Sequence, residues 1–162
     1  MMNKNVQDAI NEQIKNELYS AYLYLAMSAQ FEAQNLPGFA RWMRVQSNEE
    51  VAHAMKFFEF INDRGGRVTL KAIDQPPFEW KSPLAAFEQA YEHEQKVTAL
   101  INGIYEVATK ESDYPTQVML HWFIDEQVEE EKTASTIVEQ LKMVGDNKNA
   151  LLIVDHRLGE RE

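Results

Sequence analysis

Asp125-Glu126-Gln127-Val128-Glu129-Glu130-Glu131-Lys132 is the stretch that decides the fold. It interrupts a helical pattern whose apolar face reads Leu120, Phe123, Gln127, Glu130, Ala134, Ile137, Leu141. Gln127 and Glu130 therefore fall on the stripe meant for the core. Glu94 stands 33 residues before Gln127 and 36 before Glu130. The same arithmetic returns in the first half, where Glu17 precedes Glu50 by 33 residues and His53 by 36. Each half reads as a carboxylate, a long spacer, then two candidate ligands three apart on one helix face. That repeat suggests two helical hairpins closing around a shared interior metal site.

Working outward, breakers cut four long helical stretches. The first runs from about Asn5 to Gln34 and carries Ile10, Ile14, Glu17, Ala21, Tyr24, Ser28 and Phe31 on one face. Pro37 opens the second, which carries Phe39, Met43, Gln46, Glu50, His53, Phe57 and Phe60 before the Gly65-Gly66 stop. Ser82 caps the third and Pro83 starts it; its face reads Phe87, Ala90, Glu94, Val97, Ile101, Ile104, Ala108. The fourth begins at the Ser112-Asp113-Tyr114-Pro115 break and ends near Gly145. Every stripe is apolar except near its middle. The expected fold is an all-α four-helix bundle, in a single domain over 1–162, with the bundle itself over about 5–145.

Between the hairpins, Arg67 to Lys81 spans roughly 50 Å if extended, against roughly 40 Å for the neighbouring helix. It can return the chain along the bundle and make helices two and three parallel. Val68 and Leu70 alternate as a partly buried extended piece, with a neighbouring subunit as a possible cover. The apolar segment from about 147 to 158 has no place inside a closed four-helix bundle. It is expected to be a short fifth helix buried between subunits; the alternative is a tail folded back over one end.

Burying Glu17, Glu50, Glu94 and Glu130 without counter-charge costs several kcal/mol per ion or forces protonation. A pair of divalent ions neutralises them economically. The bland alternatives are a protonated hydrogen-bond network, or stripes rotated so that the glutamates face water. Glu49, Glu126 and Glu129 adjoin the first set and suggest a further cation site, or else an ordinary solvated surface. Tyr24, two turns along from Glu17, is either a core aromatic or a source of an electron or proton beside the metals. His93, His121 and His156 read as surface or interface residues.

Composition narrows the classes. The chain has no cysteine, so only nitrogen and oxygen ligands remain. A formal net charge of −10 argues against a nucleic-acid partner. The polar start MMNKNVQDAINEQ and the lack of a long apolar run point to a cytoplasmic protein with no membrane contact.

On these residues the chain resembles the ferritins, in particular the non-haem prokaryotic type. The resemblance implies that Glu17, Glu50 and His53 hold one iron, that Glu94 and Glu130 hold a second, and that Glu50 bridges them. It sets Gln127 beside the pair among the metal-site residues, assigns Glu49, Glu126 and Glu129 to a third iron, and places Tyr24 next to the diiron centre. Catalysis would rest on Glu50 and Tyr24. It implies an iron-storage ferroxidase, taking Fe(II) and dioxygen as substrates and assembling 24 copies into a hollow shell. Haem is not expected, because Val51 stands where bacterioferritins carry a haem-ligating methionine. Gln117 and Leu120 align with the acidic threefold-pore positions of animal heavy chains, which sets that entry route aside. The competing functions are a soluble diiron oxidase with an organic substrate and a DNA-protecting shell.

Overall fold

The computed structural model describes residues 1–162 as five helices: α1 Lys4–Ala33, α2 Pro37–Asp63, α3 Pro83–Lys110, α4 Tyr114–Val144 and α5 Lys148–Leu158. Local chemistry starts nearly all of them. Asn3 accepts from the Asn5 and Val6 amides, Ser82 from Ala85, Asp113 from Thr116 and Asn147 from Ala150. These side chains satisfy N–H groups that a first helical turn leaves orphaned. Helix α2 lacks any such cap of its own. Its Phe39 amide instead donates to Asp155 Oδ1, 2.9 Å away on α5. Gly65, at φ 67°, ends α2 where a side chain would be strained.

The ends of the helices fix the topology. Asn3 and Asn5, opening α1, donate to Glu111 just past α3. Arg64, closing α2, pairs with Asp113 at the start of α4 at 2.9 Å. Helices α1 and α2 are thus antiparallel, as are α3 and α4, and α2 runs parallel to α3. Two buried serines tie the first hairpin: Ser28 donates to the Ala40 carbonyl and Ser47 to the Ala21 carbonyl, both at 2.7 Å.

The crossover is strapped to α1. Asn11 donates to the Arg67 carbonyl at 3.0 Å and accepts from the Thr69 amide at 2.8 Å. Gln30 treats both main-chain groups of Trp80 the same way. Val68 is half-buried, but Leu70 and Phe78 are exposed. The expected alternation therefore holds only at its first residue within one chain.

Helix α5 folds across the end of the bundle against α2 and α4. It buries Val154, Asp155 and Leu158 and leaves Leu152 and Ile153 exposed. The folded-back alternative thus describes its inner face, while its outer face is free to meet another copy. The docking is tight: a Cβ at Gly38 would lie 1.7 Å from the Asp155 carbonyl oxygen. Gly38→Ala should force α5 away and orphan the Phe39 amide. Overpacking and a lost cap together predict a loss of about 2–4 kcal/mol. A thermal melt with limited proteolysis of the C-terminal helix checks this. Wild-type stability and protection would contradict it.

The core falls into two apolar clusters. One gathers Phe31, Phe39, Phe87 and Trp42 with their neighbours; the other gathers Ile10, Ile14, Ile101 and the stacked pair Phe57–Phe123, with centroids 3.9 Å apart. Between them lies a polar layer. No helix is long and apolar enough to cross a membrane.

Candidate metal centre

Four helices deliver that layer. Glu17 comes from α1, Glu50 and His53 from α2, Glu94 from α3, and Gln127 and Glu130 from α4, and all six are buried. The stripes are therefore not rotated. Ligand atoms of Glu17, Glu50 and His53 lie within 4.8 Å of one another, as do those of Glu50, Glu94 and Glu130. Glu50 belongs to both triads. His53 Nδ1 sits 3.3 Å from Glu50 Oε2 and 3.9 Å from Glu17 Oε2.

A third triad comprises His53, Glu126 and Glu130. The second acidic set is thus brought together only in part. Glu126 reaches within 4.0 Å of His53 Nε2, whereas Glu129 is exposed and joins no triad. Glu49 is held away by Arg161, whose Nη2 lies 2.7 Å from its Oε2.

Each ligand carboxylate has an amide or phenol behind it. Gln13 donates to Glu17 Oε1 at 2.8 Å. Gln46 donates at 2.9 Å to both Glu50 Oε1 and Glu130 Oε2. Tyr24 donates to Glu94 Oε1, and Gln127 directs its amide nitrogen at Glu94 Oε2, 3.1 Å away. Gln127 thus faces the centre as a donor holding Glu94, with its nitrogen rather than its oxygen turned inward. Gln13 and Gln46 were not singled out from the sequence as supports, yet each stands four residues before a triad carboxylate, Glu17 and Glu50. That shared i, i+4 spacing was the available signal.

His93, read as a surface or interface residue, lies between α1 and α3 of the same chain. It is half-buried, with Nε2 2.7 Å from Ser20 Oγ and its ring edge-on to Tyr24 at 6.2 Å. His121 and His156 are exposed as expected. Leu120 is wholly buried in the lower apolar cluster, so this position cannot line a pore in this chain.

The electrostatics are those of crowded, buried carboxyls with one imidazole as their ionic partner. Burial, reinforced by the charge of Glu50, drives the Glu17 carboxyl well above its usual range. Burial and Glu50 push Glu94 to about 8, and burial with Glu94 does the same to Glu130. Glu50 goes the other way. Burial opposes its charge, but His53, by hydrogen bond and by charge, together with the Gln46 amide outweighs it and lowers the value. His53 is raised, because Glu50 overcomes the burial that would lower it. Glu17 Oε2 is buried without any hydrogen-bond partner. No lysine or arginine pairs with the four core glutamates, whose ionic neighbours are confined to His53. Oxygen-rich triads with one imidazole and an orphaned carboxylate oxygen fit hard or borderline divalent cations.

A ferritin-like domain description matches residues 7–144. The chain is 43% identical over 161 residues to the bacterial non-heme ferritin of Bacteroides fragilis (strain 638R), covering 99% of this chain and 100% of that one. It is 37% identical to the Staphylococcus aureus (strain USA300) bacterial non-heme ferritin, covering 99% and 97%. In three dimensions it matches the open-pore ferritin of the hyperthermophilic archaeon Archaeoglobus fulgidus at a TM-score of 0.99, with 50% identity over 100% of both chains. An engineered closed form of that ferritin also matches at 0.99, with 49% identity over 100% of this chain and 99% of that one. Agreement of this extent, in sequence and in backbone, makes the chain a member of the ferritin family.

Proposed function

We propose that the chain oxidises ferrous iron with dioxygen at this centre and stores the ferric product as an oxide mineral inside a shell of 24 copies. The observation that carries the reading is the buried cluster of four carboxylates and one imidazole in two triads sharing Glu50, with Glu17 Oε2 lacking any hydrogen-bond partner. Iron storage follows from family membership; the ferroxidase step is argued from the centre. Glu17, Glu50 and His53 would take one ferrous ion and Glu50, Glu94 and Glu130 the other, with Glu50 shared. Two ferrous ions held side by side each give one electron to dioxygen, which leaves as peroxide after taking up two protons. Carboxylate oxygens favour the ferric product.

Around that step the side chains position and compensate. Gln127 holds Glu94 in place, and Tyr24 stands beside the second triad as a local proton or electron source. The third triad shares the residues His53 and Glu130 with the two main triads, but His53 turns Nδ1 to Glu50 and Nε2 to Glu126. Glu49 can join only after releasing Arg161, and Glu129 only by turning in from solvent. A cavity of about 1180 Å³ lies between α1 and the crossover and is lined by none of the triad residues. This favours iron itself over an organic substrate. The exposed Leu152, Ile153, Leu70 and Phe78 supply apolar surface for packing between copies. The net charge of −10 suits a cation-handling shell in the cytoplasm and disfavours DNA.

Anaerobic titration of metal-stripped protein with ferrous iron, followed by oxygen, tests the proposal. Binding should saturate near about two ions per subunit, one per main triad. About two to three protons should leave per subunit at neutral pH, because metal displaces them from Glu94, Glu130 and Glu17, all raised above their ordinary range. Oxygen should then produce ferric absorbance faster than in buffer, in a very large particle that gains an electron-dense core. Oxidation no faster than in buffer, or a monomeric particle, would refute it.

A further inference from the structure

The penultimate residue makes a connection that neither the triads nor the family match accounts for. Arg161 Nη2 donates to Gln46 Oε1 at 2.9 Å as well as to Glu49 Oε2 at 2.7 Å. Its Nη1 reaches the Trp42 carbonyl at 3.4 Å, and its guanidinium lies 4.4 Å over the Trp42 ring. Its own carbonyl accepts from Arg41 Nε at 2.9 Å. A tail residue is thus fixed on several sides against the outside of α2.

Gln46 is the link inward. It is buried, and both hydrogens of its amide are committed, one to Glu50 Oε1 and one to Glu130 Oε2. An amide can face a site with either its oxygen or its nitrogen, and a carboxylate tolerates only the nitrogen. Arg161 has donors and no acceptor, so it can receive only the oxygen end. With the oxygen bound outside, the NH₂ group must point at the two carboxylates.

We propose that Arg161 is a positioning residue for the metal centre: acting through Gln46, it sets the amide's polarity and so holds Glu50 and Glu130, from α2 and α4, at a common separation. Without it, the Gln46 oxygen loses its outer anchor, the amide is located only by the two carboxylates it should position, and the bridging ligand loses its register. Residues that orient metal ligands in this way typically control 10–100-fold in affinity. The inference rests on the reading of Glu50 and Glu130 as metal ligands.

The test uses Co(II) alone, bound anaerobically to the full-length, metal-stripped protein and read by its ligand-field absorption and binding isotherm. Arg161→Ala should weaken binding about 10-fold or more and alter the absorption bands. Gln46→Ala should do the same. The double variant should be no worse than either single one, since both remove one link. Wild-type affinity and bands in Arg161→Ala would overturn the inference. So would additive losses in the double variant, which would mean that Arg161 acts by docking the tail. Should Arg161→Ala fail to assemble, Gln46→Ala carries the test, and unchanged binding there overturns the inference. A wild-type protein without the Co(II) bands, or a Glu50→Ala variant that keeps them, would overturn the reading of the centre itself, and the inference with it.

Discussion

Glu50→Ala should slow ferrous oxidation by on the order of 100-fold or more while leaving the assembled particle intact. Glu50 is the one carboxylate common to both main triads, so its loss separates the two ions as well as weakening each. Its neighbours give no reason for the fold to fail. The pocket is already crowded with acid, and removing one carboxyl relieves repulsion on Glu17, Glu94 and Glu130. Glu50→Gln, which keeps the shape and removes the charge, separates ligand loss from cavity formation and should be nearly as slow. Stopped-flow oxidation and size-exclusion chromatography read the two halves of the claim. Oxidation at the wild-type rate in both variants would remove Glu50 from the centre.

The metal-free protein should lose stability as pH rises from mildly acidic to about 8, and divalent metal should abolish that loss. The sign follows from proton counts. Glu94 and Glu130, raised to about 8, keep protons in the folded chain that the unfolded chain has already released above its ordinary carboxyl value. Unfolding then sheds protons, so alkali favours it throughout that window. Glu17, raised further by burial, adds in the same direction. His53 does too: its raised value gives stability that is fully present below the unfolded imidazole range and is lost above it. Opposing them, the lowered Glu50 and Asp113 stabilise above the ordinary carboxyl range and lose that contribution as pH falls through their folded values. The metal-free optimum should therefore be mildly acidic. At about 1.4 kcal/mol per pKa unit, the alkaline loss is several kcal/mol, or roughly 10 °C in melting temperature. Melting curves with and without Zn(II) across that range check it. A flat metal-free profile would mean that the carboxyls are solvated.

Much of this was legible because a helix is periodic. Glu17, Glu50, His53, Glu94, Gln127 and Glu130 were readable as inward groups from spacing alone, and the structure buries all of them. Ser82 and Pro83 marked the start of α3 through cap chemistry. What escaped lies where partners come from distant parts of the chain. Asp155 caps α2 from 116 residues away, and Arg161 reaches Gln46 from 115 away. No periodic rule links such positions. His93 reads as a surface or interface residue because no constellation of candidate ligands accompanies it in the sequence. The gap it occupies between Tyr19, Ser20 and Tyr24 exists only after α1 and α3 have met.

The polar layer sits between two apolar plugs, and this governs traffic. Phe31, Phe39 and Phe87 seal the bundle axis on one side, and the stacked Phe57 and Phe123 seal it on the other. A hydrated ion cannot travel lengthwise through either seal. A flank approach lies beside Trp122, where Glu126 is one-third exposed and looks onto His53. An ion held between the two seals would then come and go through the side of the bundle rather than along its axis.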